Sequence, residues 1–129
     1  MTLKHLVPLL LFASFVTGAA KANVTDEDFV AKKTQNILNL CTASPQDPRY
    51  REAIHFCHGY MVGAYHYYQA QTANKPELKL FCPPEPKPTR NDTIAMFISW
   101  AKQHPQYMQE APVETEFRFL TEKWPCINK

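Results

Sequence analysis

Apolar residues recur every three or four positions in four stretches of this chain, and that period predicts helices. Thr25 stands ahead of Asp26-Glu27-Asp28, a capping residue followed by three acids suited to the positive end of a helix dipole. Val30, Thr34, Ile37, Leu38 and Cys41 continue at helical spacing, and Pro45 and Pro48 close this first helix. The second stretch has the longest stripe: Tyr50, Ala53, Ile54, Cys57, Met61, Ala64, Tyr65 and Tyr68. Its other side, with His55, Gly59, Val62, Gly63 and His66, is not strongly polar, which predicts a central helix contacted on two sides. A third helix is capped by Asn91 or Asp92, packs Ile94, Phe97, Ile98 and Ala101 inward, and stops at His104-Pro105. Pro112 suits the first turn of a fourth, with Val113, Phe117, Leu120 and Trp124 as its inner stripe and Pro125-Cys126 as its end.

Residues 71–92 form the long connection. Within it Phe81-Cys82-Pro83-Pro84-Glu85-Pro86-Lys87-Pro88 cannot be helical, and its prolines favour a stiff, extended segment. That segment reads either as a spacer pinned by Cys82 or as a rigid loop presented to a partner.

The N-terminal segment has a different pattern. Lys4 and His5 precede an apolar run from Leu6 to Val16, interrupted only by Ser14, and small residues lead to Ala20-Lys21-Ala22. Residues 1–22 therefore read as a secretory signal peptide, with the mature chain starting at Asn23 and running to residue 129 as one domain. A run of eleven residues containing Pro8 is too short for the ~20 that a bilayer span needs, so no membrane association is expected of the mature chain.

Export changes how the cysteines read. Cys41, Cys57, Cys82 and Cys126 are an even set in a short exported chain, which points to disulfides. Their spacings of 16, 25 and 44 contain no C-x-x-C pair and fit a zinc site poorly. Four cysteines allow three pairings. Cys41 ends the first helix and Cys57 lies early in the second, while Cys82 precedes the third and Cys126 follows the fourth. Adjacent ends of antiparallel helices favour Cys41–Cys57 and Cys82–Cys126. The expected fold is all-α: a small four-helix, two-hairpin domain stapled by two disulfides.

Composition and motifs exclude several functions. The whole chain carries 14 Lys and Arg against 12 Asp and Glu, but Lys4 and Lys21 belong to the signal, leaving 12 of each and no electrostatic case for nucleic acid. Only three glycines occur, so no phosphate-cradling loop can form, and no cofactor is expected. His55 and His58 are three apart on one helix, but no H-E-x-x-H pattern or matching carboxylate accompanies them, and no metal site is expected. There is no G-x-S-x-G elbow, Ser44 and Ser99 fit a turn and a solvated helix, and Glu114 and Glu116 read as a solvated surface. No catalytic residue is assigned, and the chain is not expected to be an enzyme. Gly59 and Gly63, four apart on one helix face, predict close approach by another helix. Tyr67 lies off the packed register of Tyr65 and Tyr68 and, as an exposed tyrosine, suits an interface.

The order of these features resembles a known family. Ile37-Leu38-Asn39-Leu40-Cys41, Phe56-Cys57-His58-Gly59-Tyr60-Met61-Val62-Gly63, Phe81-Cys82-Pro83, His104-Pro105 and Trp124-Pro125-Cys126 together resemble the Rap/Tai-type immunity family. The resemblance runs from about Gln35 to Cys126, and Cys57-His58-Gly59-Tyr60 with Gly63 is its most specific piece. Trp124 stands where family members usually carry Phe. The resemblance implies a small helical periplasmic protein, often a homodimer, that binds and occludes a peptidoglycan amidase effector of type VI secretion without chemistry of its own. The matching positions carry the fold and not the contact surface. Tyr67, Pro84, Glu85, Lys87 and Arg90, on and beside the proline-rich loop, are the candidate contact residues. Alternative readings are a periplasmic acid-stress chaperone or a secreted accessory protein with no toxin partner.

Overall fold

A computed structural model describes residues 23–126, so the segment read as a signal peptide lies outside the described residues. Four α-helices form the domain: α1 Thr34–Cys41, α2 Tyr50–Thr72, α3 Arg90–Lys102 and α4 Pro112–Lys123. Short 3-10 turns at Asp26–Val30, Pro76–Leu78 and Pro105–Tyr107 lie between or before them. The helices pair as α1 with α2 and α3 with α4, the two-hairpin arrangement the pattern predicts. Both expected disulfides are present, Cys41–Cys57 and Cys82–Cys126, with Cα–Cα distances of 5.2 and 5.0 Å.

The first helix departs from the sequence reading. It is broken into a 3-10 turn and α1 at Ala31, which adopts a left-handed φ of 52°. The buried Asp28 carboxylate supplies the reason. Its Oδ2 accepts from the Thr25 backbone N–H and hydroxyl, each at 2.9 Å, and its Oδ1 accepts from Asn36 and Asn39 at 3.3 and 2.9 Å. Reaching both sides requires the chain to fold back between Asp28 and Asn36. The N–H groups that start α1 find carbonyls elsewhere: Thr34 donates to Glu110 O at 2.8 Å and Gln35 to Met108 O at 3.1 Å. The 105–111 connection thus caps α1, meeting donors that an isolated helix would leave to water.

The core is also placed differently. Six of the eight residues of α1 are buried, Ile37 and Leu40 fully, so this short element is the most enclosed. α2 buries Ala53, Cys57 and Met61 along one stripe and leaves His55, Gly59, Gly63 and His66 exposed. A Cβ built at Gly59 or Gly63 would meet nothing within 4 Å. No helix of this chain packs on the two glycines among the described residues, contrary to the sequence expectation.

α3 is capped by Thr89, one turn earlier than Asp92, which instead closes the box: Asp92 N–H donates to Thr89 Oγ1 at 3.2 Å, and the Thr89 backbone N–H donates to the Asp92 carboxylate at 3.3 Å. α4 is rotated from the predicted stripe. Pro112, Thr115, Glu116, Phe119 and Leu120 are buried, whereas Val113 is exposed and Phe117 half-buried. Thr115 fixes this rotation, sharing a 2.7 Å hydrogen bond with Thr34 in the interior, and Phe119 packs edge-to-face on Phe97. No helix among the described residues is long and apolar enough to cross a membrane.

Candidate functional site

The proline-rich segment is held at both ends. Tyr68 on α2 stacks on Phe81 with ring centroids 4.9 Å apart, and its hydroxyl accepts from the Leu80 N–H at 2.7 Å. Phe81 bridges to Pro125, Cys82 N–H donates to Trp124 O at 2.8 Å, and the Cys82–Cys126 disulfide locks the pairing. Thr89 then turns the chain into α3. Prolines between two such anchors leave few conformations open.

This fixed segment forms one wall of a cleft of about 590 Å³. α2 contributes Met61 and Tyr65, the start of α3 contributes Ile94, and α4 contributes Phe119 and Leu120, with Trp124 alongside. His66, Lys87 and Arg90 add basic groups to the lining, and Glu116 is its acid. A largely apolar cleft with a few convergent polar groups is the usual form of a binding site.

Glu116 is 3% exposed, and its Oε2 has no hydrogen-bond partner among the described residues. Burial pushes its carboxyl up to about 8, so the group is largely protonated at neutral pH. The Tyr60 phenol beside it is also raised, chiefly by burial and further by the Glu116 charge. The solvated-surface reading holds for Glu114, which is exposed, and fails for Glu116. The signal was present in the spacing: Pro112, Thr115, Glu116, Phe119 and Leu120 step by three and four, and choosing the Val113–Phe117 register hid it.

The candidate contact residues divide. Lys87 and Arg90 line the cleft; Pro84 and Glu85 are exposed on the segment but do not line it. Glu85 lies 4.0 Å from Lys87, a solvated pair of little energetic weight. Tyr67 is 69% exposed on α2, apart from the cleft, while Tyr65 and Tyr68 turn inward. His58 is half-buried and its imidazole is shifted down, first by burial and then by the nearby Arg90 and His55 charges. No group of three His, Cys, Asp or Glu side chains among the described residues is arranged to hold a metal.

Fold and site thus define a small disulfide-stapled helical protein with a preformed cleft under a rigid segment. The family model of Rap1a immunity proteins matches residues 33–126, and the chain belongs to that family. The match spans all four cysteines, the cleft and Glu116. No curated protein and no solved structure matches the chain.

Proposed function

We propose that this chain is a periplasmic immunity protein that binds a peptidoglycan amidase effector of type VI secretion and blocks it by occlusion. Membership of the Rap1a immunity family is the observation that carries this reading, because an immunity protein acts by binding a secreted effector. The family supports an inhibitor in place of an enzyme. The disulfide-anchored proline segment supports occlusion: it loses little conformational entropy on binding, so more of its contact energy appears as affinity. Residues 1–22 have the pattern of an export signal, which would deliver the chain to the compartment where disulfides form and peptidoglycan lies. Homodimerisation belongs to the same proposal, and the exposure of Gly59, Gly63 and Tyr67 on one face of α2 supports it.

Binding is tested by titration calorimetry of the oxidised protein against each amidase effector encoded by the same genome, alongside peptidoglycan hydrolysis. The expected result is a saturable complex with one amidase and loss of its hydrolysis at equimolar protein. Failure to bind or inhibit any of them overturns the amidase reading.

A further inference from the structure

The accessible surface of the cleft has a pattern that the fold does not use. Its deepest lining, Met61, Phe81, Phe119 and Leu120, is buried, and Glu116 among them, 3% exposed, presents no accessible charge. Above these, Val62 and Tyr65 on α2, Pro83 and Pro88 on the proline segment and Trp124 after α4 are half-buried apolar walls. His66, Lys87 and Arg90 are exposed at the rim. Acids do not balance that rim, for no exposed carboxylate among the described residues lines the cleft. Asp92, at the start of α3, is committed to the cap, accepting from the Thr89 N–H and hydroxyl. Glu85 lies 4.0 Å from Lys87 in an exposed pair that a better-placed carboxylate displaces at little cost. Arg90 makes no ion pair among the described residues, and its charge, after burial and ahead of His55, pushes the His58 imidazole down. A guanidinium set beside imidazoles with no carboxylate of its own gains most from a ligand that brings one.

We infer that the cleft receives an acidic segment of the protein partner, anchored by one aromatic side chain between Tyr65, Pro83, Pro88 and Trp124 and flanked by carboxylates that pair with Lys87 and Arg90. This rests on the reading that the chain binds a protein, and it goes further by naming the chemistry of the segment bound. The anchor follows from the walls, where aromatic and proline side chains offer flat faces to a ring. The carboxylates follow from the rim. A basic segment would set its ammonium groups against His66, Lys87 and Arg90. A neutral segment would forgo the two-pronged pairing that a free guanidinium offers. Carboxylates at an exposed rim also keep part of their hydration, so pairing there avoids the cost of carrying a charge among apolar walls. The volume of about 590 Å³ exceeds one side chain, so a short turn enters with the ring. The Cys82–Cys126 disulfide and the prolines hold the wall in place beforehand, so little ordering opposes binding.

The probes are end-blocked pentapeptides on one frame: EDFDE, its neutral counterpart QNFNQ, its basic counterpart KKFKK and the anchorless EDSDE. Each is titrated at neutral pH and low salt into the isotopically labelled, oxidised protein, following the backbone amides of Val62, Arg90 and Ile94 by NMR. EDFDE is expected to saturate with a Kd about tenfold below each of the other three. Raising the ionic strength from about 0.02 to about 0.2 M should weaken it about threefold. The double variant Lys87→Gln with Arg90→Gln should weaken EDFDE about tenfold and leave QNFNQ within about twofold. Circular dichroism confirms that it folds, and each single variant, expected to weaken EDFDE about threefold, keeps the test open if it does not. Equal binding of any other peptide, undiminished binding by the folded double variant, or no saturable shift with EDFDE would each overturn the inference. So would tighter binding of decanoate, which would assign the cleft to a small anion with an aliphatic body. An amidase inhibited equally by the native chain and the folded double variant overturns this inference and leaves the immunity reading standing. A chain that binds EDFDE but no amidase keeps the acidic ligand of the cleft and loses the amidase reading.

Discussion

Two buried carboxyls, Asp28 and Glu116, face opposite electrostatic environments, and stability should follow pH through both. For Asp28, burial works to raise the pKa but is outweighed by hydrogen bonds from the Thr25 backbone, Asn39, Asn36 and the Thr25 hydroxyl, which together lower it. Its contribution is present above the unfolded pKa and is lost as pH falls through the depressed folded value. Glu116 has the reverse sign. Its pKa rises from 4.5 unfolded to about 8 folded, so its contribution is fully present below 4.5 and is lost as pH rises to about 8. Glu116→Gln removes that loss. Urea unfolding across this window should show the variant gaining on the native protein with increasing pH, by an amount on the order of a few kcal/mol at the alkaline end. A constant difference would mean that Glu116 is solvated. The Glu116 register was present in the spacing of α4 but competed with the Val113–Phe117 stripe, and the Thr115–Thr34 hydrogen bond decides between them; the Asp28 environment was not legible, because Asn36 and Asn39 reach it only across the break at Ala31.

At the scale of elements, the disulfides do different work. Cys41–Cys57 closes a 16-residue separation at the α1–α2 turn, and Cys82–Cys126 closes 44 residues and fixes the cleft wall. In the chain-entropy model, replacing the first pair with serines costs about 3 kcal/mol and the second about 4 kcal/mol, measured by urea unfolding. The second replacement should also free the proline segment and weaken effector binding more than the first. The glycines on α2 carry a separate prediction. Gly59→Ala and Gly63→Ala meet open space at helical φ, so each should raise stability of the single chain by about 0.5–1 kcal/mol. Loss of stability instead would place another surface against that face. The helices themselves were largely readable: α2, α3 and α4 lie where three-four periodicity and Pro105, Pro112 and Pro125 put them. The break at Ala31 was not readable, because Asp28 bonding to Asn36 and Asn39 overrides a continuous helical pattern.

Over the whole molecule, covalent staples, an interior built around α1 and a pinned proline segment set one wall of the cleft of about 590 Å³. The family was readable because its cysteines, glycines and aromatics form an ordered pattern in the sequence, and the family match spans nearly the same residues. The site was only half readable. Lys87 and Arg90 were reached through the proline loop, whereas Glu116 and Phe119 join them from a helix far along the chain. Protection against the effector is tested in cells. Survival is counted in bacteria that secrete an amidase effector from the same genome into their own periplasm, with or without this chain carrying its N-terminal segment. Survival should be restored by the native chain and lost when residues 1–22 are deleted. Equal killing with and without the native chain, for every amidase of that genome, would rule out protection.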